Sequence, residues 1–216
     1  MKLAIFDMDG LLFDTERLTE KIMTDVLAKY NYTITHEQYI KCTGLTKKAY
    51  KAAMLEFYGS DYPYDTISKT VRKKIDETLR NEGCPIKDGI PELLEFLNKN
   101  NVLCVIASST YTNYVKEYIE LSGLSKYFTH IIGGDTVNKG KPEPDIFLKA
   151  CDLAKVNPKD AIVFEDSENG IKASVNANIP VICIFDMKRH DKNIQNMCLT
   201  CVNNAFEAKK FLEELM

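Results

Sequence analysis

Two carboxylates and a glycine follow the first apolar segment of the chain. Residues 3–6, Leu-Ala-Ile-Phe, have the unbroken apolar pattern of a strand buried in a parallel sheet, and Asp7, Asp9 and Gly10 come directly after it. Alternate residues of an extended chain point to the same side, so Asp7 and Asp9 can converge on one small volume. Carboxylates this close repel each other unless a cation lies between them. The pattern predicts metal-assisted chemistry on an anionic substrate; the alternative is that Asp-x-Asp-Gly is only a turn.

Hydroxyl groups and a lysine follow later segments. Ser108 and Ser109 come directly after the predicted strand 102–107, where hydroxyl and backbone N–H groups at a strand-to-helix turn can bind phosphate. A plain helix cap is the alternative for these serines. Lys141 precedes Pro142, which disfavours a helix and leaves the lysine on a stiff loop where it can pair with phosphate and carboxylates. For this lysine, a solvated surface charge is the alternative.

A second acidic pair, Glu165 and Asp166, follows the apolar run 161–164. Carboxylate oxygens together with water are the ligands that Mg²⁺ prefers. Taken alone, the pair is also compatible with the solvated start of a capped helix. Ligands of open α/β sheets bind beyond the carboxyl ends of the strands, so polar groups at successive strand ends predict one common site.

The elements that must position these groups change character along the chain. Over residues 16–83 apolar residues recur mostly at three- and four-residue intervals in four successive segments, with no convincing strand, which predicts an all-helical insertion. From residue 84 onward predicted strands and helices alternate, which indicates a parallel sheet with helices on both faces. The expected fold class is α/β, with a Rossmann-like core over residues 1–15 and 84–216 and an inserted helical domain over 16–83.

Composition restricts the class of protein. The 216 residues are 45% hydrophobic and 27% charged, and the net charge of −3 argues against a nucleic-acid-binding surface. Because no leader-like segment and no apolar run of roughly 20 residues is visible, we expect a cytoplasmic protein that does not enter membranes. The seven cysteines are odd in number and mostly isolated, which favours reduced thiols. Cys198 and Cys201 have C-x-x-C spacing without a second pair, which favours a plain strand over a zinc or redox role.

Four sequence features, taken in chain order, resemble the four motifs of the haloacid dehalogenase-like phosphotransferase superfamily: Asp7-Met-Asp-Gly10, Ser108, Lys141-Pro142 and Glu165-Asp166. The stretch from Phe6 to Glu16, followed at once by a helical insertion, resembles the subgroup that contains β-phosphoglucomutase and related sugar-phosphate phosphatases. The resemblance covers the whole chain. It implies a Rossmann-like core, a helical cap domain and Mg²⁺-dependent phosphoryl transfer.

The resemblance also implies catalytic and metal-binding roles. Asp7 is implied to be the nucleophile that forms an aspartyl-phosphate, and Asp9 to be the general acid and base. Mg²⁺ is implied to be held by the Asp7 carboxylate, the Asp9 backbone carbonyl and Asp166, with Glu165 nearby. Such a transfer depends mostly on positioning and on neutralising charge.

Phosphate and substrate contacts follow from the same resemblance. Ser108, Ser109 and Lys141 are implied to bind the transferring phosphoryl group, with Lys141 also offsetting the charge of Asp7. The insertion is implied to be a mobile cap that closes over the site and selects the substrate. Lys47 and Glu16 are the expected substrate contacts from that part of the chain.

The resemblance leaves the phosphoryl acceptor open. β-Phosphoglucomutase has a His shortly after the Asp-Thr of its first motif, whereas this chain has no His before His36. We therefore expect a phosphomonoesterase for a small sugar or nucleoside phosphate, with β-phosphoglucomutase as the alternative. Phosphonate or haloacid cleavage is less favoured, the latter because Asp9 is present, and a non-catalytic phosphate-binding module is a further alternative. The expected partner is a small phosphate ester, with no nucleic acid and no membrane, and the protein is expected to be a monomer or weak dimer.

Overall fold

This computed structural model describes residues 1–215, in which five helices follow the first strand and helices alternate with strands from β2 onward. In chain order the elements are β1 (Leu3–Phe6), α1 (Thr15–Lys29), α2 (His36–Cys42), α3 (Lys47–Tyr58), α4 (Tyr64–Glu82), α5 (Ile90–Lys99), β2 (Leu103–Ser108), α6 (Thr112–Leu121), β3 (Phe128–Gly133), α7 (Asp145–Ala154), β4 (Ala161–Glu165), α8 (Glu168–Asn176), β5 (Val181–Ile184), α9 (Lys192–Gln195), β6 (Thr200–Val202) and α10 (Ala205–Leu215). The predicted α/β class is confirmed. The four-residue α9 was not predicted, because it is too short to show a helical period.

Six parallel strands form one sheet in the order β3-β2-β1-β4-β5-β6. The central β1 pairs with β2 and β4, and its last residue, Phe6, lies between Ile106 and Phe164. All four residues of β1 are fully buried, which accounts for their unbroken apolar sequence. The chain continues from β1 to β2 and β3 on one side and later to β4, β5 and β6 on the other. Such a reversal of strand order creates a crevice at the carboxyl ends of β1 and β4.

Apolar packing on both faces holds β1 in its register. Leu3 and Ile5 share one face and pack in a buried cluster with Phe147 of α7. Phe6 points to the opposite face and stacks on Phe164, with the ring centroids 4.6 Å apart. A slip of one residue would exchange the two faces, so this packing also determines where the carboxylates after β1 emerge.

The chain divides into two compact units. The first, here called the α/β unit, comprises Met1–Asp14 and the chain from Cys84 onward, and the second, the helical unit, comprises Thr15–Gly83. The structure assigns the helical unit four helices, α1 to α4, and no strand. Thr35 and Gln38 form a capping box at the start of α2. Across residues 1–215, no helix combines the length and the apolar character that crossing a bilayer requires.

The two segments of the α/β unit that lead to the helical unit pair with each other. The backbone N–H of Asp14 donates to the carbonyl of Pro85 at 2.8 Å, and that of Lys87 donates to the carbonyl of Leu12 at 3.0 Å. The loop that follows β1 is therefore tied to the residues just before α5.

Candidate active site

A buried lysine joins the ends of β1 and β4. Lys141 Nζ donates to Asp7 Oδ1 at 2.5 Å and to Glu165 Oε1 at 2.6 Å. The exposed fractions of the three side chains are 5% for Lys141, 11% for Asp7 and 0% for Glu165. Lys141 is therefore not a solvated surface charge, which was the alternative interpretation. An ammonium in this position puts a fixed positive charge where the two strands end.

Burial and mutual attraction govern the charges of this group. Although burial disfavours its charge, the carboxylates of Asp7 and Glu165 raise the pKa of Lys141 above its ordinary value, so the lysine is charged at neutral pH. Burial raises the pKa of the Asp7 carboxyl, and the ammonium of Lys141 opposes that shift. Further positive charge beside Asp7 would favour its ionised form, in which it can act as a nucleophile.

The same strand ends present three carboxylates to one another. Asp7, Glu165 and Asp166 each offer an oxygen that lies within 4.8 Å of the other two. Among the residues described, 1–215, this is the only group of three or more His, Cys, Asp or Glu side chains with that spacing. Several carboxylate oxygens at one point form a donor set that fits a hard divalent cation such as Mg²⁺.

Glu165 accepts hydrogen bonds at both of its oxygens. Besides Lys141 at Oε1, it accepts at Oε2 from the backbone N–H groups of Asp166 and Ser167, at 2.9 Å and 2.8 Å, and from the Ser167 hydroxyl at 2.9 Å. A Cβ at Gly170 would collide with this carboxylate, so the glycine makes room for it in the first turn of α8. Ser167 caps α8 by accepting from Gly170 N at 3.1 Å. Glu165 is thus no solvated helix-start charge, because it is buried and holds Lys141.

The turn after Asp9 requires a glycine. Gly10 has a φ of +81°, which side chains rarely adopt. A Cβ at this position would lie 2.5 Å from Asp166 Oδ2 and 3.3 Å from Asp186 Oδ2. Asp-x-Asp-Gly is therefore a turn, as the alternative interpretation held, and it also allows close approach of the segments after β1 and β4.

The segment after β2 supplies hydroxyl groups. Thr110 Oγ1 donates to Asp9 Oδ2 at 2.8 Å, and Thr110 N donates to Ser108 Oγ at 3.0 Å. Ser108 is buried at the end of β2, and Ser109 beside it is exposed. Because α6 begins only at Thr112 and has no side-chain N-cap hydrogen bond, neither serine caps that helix.

Two further charged residues, which the sequence analysis did not single out, support the loop after β1. Lys87 Nζ donates to the Gly10 carbonyl at 2.8 Å and to Asp186 Oδ1 at 2.6 Å. Asp186 follows β5, so the rule that polar groups gather at strand ends could have identified it. Thr110 follows β2 at the same spacing and carries the same signal, whereas Lys87 carries none, because its contacts depend on how distant segments meet.

The two substrate contacts predicted in the helical unit have these local surroundings. The Tyr39 hydroxyl donates to Glu16 Oε2 at 2.7 Å and to the Glu16 backbone carbonyl at 2.9 Å. Lys47 is exposed at the first position of α3, directly after the Thr46 N-cap. Their roles in substrate binding stay predictions.

The chain is similar in sequence to several proteins whose names state an activity on phosphorylated small molecules. The phosphorylated carbohydrates phosphatase of Thermotoga maritima is 30% identical over 182 residues, covering 83% of this chain and 82% of its own. The (DL)-glycerol-3-phosphatase 1 of Arabidopsis thaliana is 34% identical over 206 residues, covering 90% of this chain and 67% of its own. The β-phosphoglucomutase of Bacillus subtilis is 28% identical over 185 residues, covering 83% and 81%.

Solved structures and a family model point the same way. A haloacid dehalogenase-type hydrolase of family IA, variant 3, from Entamoeba histolytica superposes with a TM-score of 0.80 at 25% identity, over 96% of this chain and 95% of that one. The model of the haloacid dehalogenase-like hydrolases matches residues 4–184. This match spans most of the chain and includes all four motifs. The chain therefore belongs to the haloacid dehalogenase-like hydrolase family, in the branch that includes sugar-phosphate phosphatases and β-phosphoglucomutase.

Proposed function

We propose that this protein is a Mg²⁺-dependent phosphatase that hydrolyses a small sugar or nucleoside phosphate through an aspartyl-phosphate. The observation that carries the proposal is the buried contact of Lys141 with Asp7 and Glu165, beside Asp166. The names of the Thermotoga and Arabidopsis relatives support phosphate monoesters of small polyhydroxylated molecules as the substrate class.

Asp7 is the proposed nucleophile and Asp9 the proposed acid and base. An oxygen of Asp7 attacks phosphorus, the bond from phosphorus to the ester oxygen breaks, and Asp9 gives its proton to that leaving oxygen. Water then attacks the aspartyl-phosphate while Asp9 takes a proton from it, which releases phosphate and restores Asp7. The Thr110 hydroxyl orients Asp9 for both steps through its hydrogen bond to Oδ2.

The metal would be held by the carboxylates at the strand ends. Asp7 and Asp166, with the backbone carbonyl of Asp9, are the proposed ligands, and Glu165 lies close enough to contribute. Because both Glu165 oxygens already accept hydrogen bonds, we assign this residue mainly to holding Lys141. Mg²⁺, when bound, offsets negative charge on the phosphoryl group and on Asp7.

Ser108, Ser109 and Lys141 are the proposed phosphoryl-binding residues. Ser108 Oγ accepts from Thr110 N, so its own hydroxyl proton can be donated to a phosphoryl oxygen. The Lys141 ammonium lies within hydrogen-bonding distance of Asp7, the atom group that would receive the phosphoryl group. From the helical unit, Glu16 and Lys47 are the proposed contacts to the rest of the substrate. The cytoplasmic location and the monomeric or weakly dimeric state stay predictions.

The experiment measures phosphate release from a panel of sugar, nucleoside and polyol phosphates with Mg²⁺, beside an Asp7→Asn control. We expect release from one substrate group and none from the control. The panel includes β-glucose 1-phosphate with a catalytic amount of the 1,6-bisphosphate, because formation of glucose 6-phosphate without phosphate release would identify a mutase instead. Phosphate binding without turnover on any substrate would identify a non-catalytic module.

A further inference from the structure

Three cysteine side chains gather on the β5–β6 side of the sheet, where Cys183 is the register partner of Glu165 in β4. Cys183 of β5 is fully buried and is paired in register with Cys201 of β6. Cys198, in the bend before β6, packs with Cys201 against the same buried cluster that contains Cys183. Cys198 lies close enough to both other thiols for each of them to influence its pKa.

Cys198 and Cys201 point to the same end of α9. The Cys198 thiol donates to the Ile194 carbonyl at 3.6 Å, and the Cys201 thiol donates to the Gln195 carbonyl at 3.9 Å. These carbonyls belong to consecutive residues, so both thiols approach the carboxyl-terminal end of the same short helix. Only two residues separate Cys198 from Cys201 in the sequence.

These two thiols differ from the other cysteines in access and in reactivity. The five remaining cysteines of the chain are buried, whereas Cys198 and Cys201 are partly exposed. The hydrogen bond with Cys183 lowers the pKa of Cys198, while burial raises the pKa of Cys201. The thiolate is the reactive form, so Cys198 reacts first and Cys201 is placed to resolve its product.

The spacing favours a disulfide over a zinc site. Tetrahedral zinc holds its thiolates at about 2.3 Å, which requires the sulfur atoms to lie roughly 3.8 Å from one another. In the part of the chain that the structure describes, the acidic trio is the one group of three or more His, Cys, Asp or Glu side chains spaced to hold a metal ion, and the three thiols do not form such a group. A disulfide requires only two sulfur atoms to approach each other.

We propose that Cys198 and Cys201 form a redox modification site at which hydrogen peroxide converts the two thiols to a disulfide. The Cys198 thiolate attacks one peroxide oxygen and the O–O bond breaks, which gives a sulfenic acid on Cys198 and hydroxide. The Cys201 sulfur then attacks Cys198 Sγ, an S–S bond forms, and the S–O bond breaks with loss of the second hydroxide. The two thiol protons convert both hydroxides to water. Two thiols are oxidised by two electrons in total, and one peroxide is reduced to two waters.

The proposal is tested on the full chain without any phosphatase assay, so it stands or falls separately from the proposed function. The protein is treated with equimolar hydrogen peroxide, its remaining thiols are alkylated, and tryptic peptides are identified by mass spectrometry. Cys198 and Cys201 share the tryptic peptide 193–209, whereas Cys183 lies in peptide 173–188. We expect peptide 193–209 to lose the mass of two hydrogens, to escape alkylation completely, and to regain full alkylation after dithiothreitol.

Variants identify the order of the steps. In Cys201→Ser the sulfenic acid of Cys198 lacks its proposed resolving thiol, and the neighbouring Cys183 is fully buried in β5. We therefore expect a dimedone adduct on Cys198 and no cross-link to Cys183. In Cys198→Ser we expect Cys201 to remain fully alkylated at the same peroxide dose, and Cys42→Ala, in the helical unit, should react like the wild type. A cross-link between peptides 193–209 and 173–188, or full alkylation of both cysteines in the oxidised wild type, would overturn the proposal.

Discussion

The two units of this chain bury polar side chains of different kinds. In the α/β unit the buried group is ionic: Lys141 lies between Asp7 and Glu165. In the helical unit Lys51 pairs with Asp65 at the surface, with 44% and 84% of the side chains exposed. The more buried Asp76 of that unit, 12% exposed, pairs with Arg72, which is 42% exposed. Buried charges are costly and seldom improve stability over apolar packing, so a buried ionic cluster points to chemistry in the α/β unit.

The helical unit instead buries phenols around a cavity. Its aromatic cluster includes Tyr58 and Tyr62, whose ring centroids are 4.8 Å apart. The unit also contains a cavity of about 210 Å³, whose lining includes Met23, Tyr50, Tyr62, Tyr64, Ile67 and Arg72. Phenol rings pack as apolar surface and keep one polar tip, which suits the binding of varied small molecules more than catalysis. We therefore propose a division of roles in which the α/β unit carries out the reaction and the helical unit can vary with little effect on the chemical step.

Among the substitutions that test this comparison, Asp7→Asn should have the largest effect. Removal of the nucleophile should reduce phosphate release by about 10⁴-fold or more, the order seen when a covalent nucleophile is lost. The thermal midpoint, followed by circular dichroism, should stay close to the wild-type value or rise, because one buried charge is removed. Asp65→Asn in the helical unit is the matched control and should keep its activity. Near-normal turnover by Asp7→Asn would refute the proposed nucleophile.

Lys141→Met and Lys51→Met compare the buried and the exposed ion pairs directly. Loss of Lys141 leaves two buried carboxylates uncompensated and should lower the free energy of unfolding by about 3–5 kcal/mol. Loss of Lys51 breaks an exposed pair and should cost about 0–1 kcal/mol. Both values come from urea unfolding at pH 7.5.

The pH chosen for urea unfolding follows from the direction in which the pKa of Lys141 is shifted. The pKa of Lys141 is raised in the folded chain, so its stabilising contribution is complete below the ordinary lysine pKa of about 10.4 and is lost as pH rises through the folded value. At pH 7.5 the full effect is therefore measured. Equal losses for the two variants would contradict the contrast between the units.

The sequence was most informative where charged residues directly follow an apolar run that forms a strand. The apolar run 3–6 with its following carboxylates, and the run 161–164 with Glu165 and Asp166, both form strands whose ends meet, because buried parallel strands and their carboxyl edge follow from pattern and topology. The helical insertion was equally visible from the three- and four-residue spacing of its apolar residues.

Long-range pairing was not visible in the sequence. The contact of Thr110 with Asp9 joins residues 101 positions apart, and that of Lys87 with Asp186 joins residues 99 apart. No periodicity specifies such a meeting, since it depends on strand order and on the turn at Gly10. The sequence also predicted that Lys141 can pair with carboxylates, but it did not indicate that Glu165 is one of its partners.

Asp166→Asn tests the same comparison by a measurement of metal binding instead of activity. With Mg²⁺ at about 100 times its dissociation constant, selective binding to the folded chain should add about 2.7 kcal/mol to the free energy of unfolding. Asp166→Asn should remove most of that gain, because a proposed ligand loses its charge, whereas Asp65→Asn should keep it. The measurement is thermal unfolding with and without Mg²⁺ in the absence of substrate. A full Mg²⁺ effect in Asp166→Asn would exclude this residue as a ligand.

The smallest expected effects come from deleting one hydroxyl group in each unit. Thr110→Val removes the donor to Asp9 Oδ2 at 2.8 Å, and Tyr50→Phe removes the donor to Met23 Sδ at 3.1 Å. A hydrogen bond to a carboxylate that must be oriented in both half-reactions is worth more than one to a weak thioether acceptor.

We expect Thr110→Val to lower kcat by about tenfold with little change in KM, since a loss of about 1.4 kcal/mol is a tenfold change in rate. Tyr50→Phe should leave kcat within about twofold and lower the free energy of unfolding by less than about 1 kcal/mol. If Tyr50→Phe instead reduced kcat as much as Thr110→Val, the helical unit would share in the chemical step, and the division of roles between the two units would be wrong.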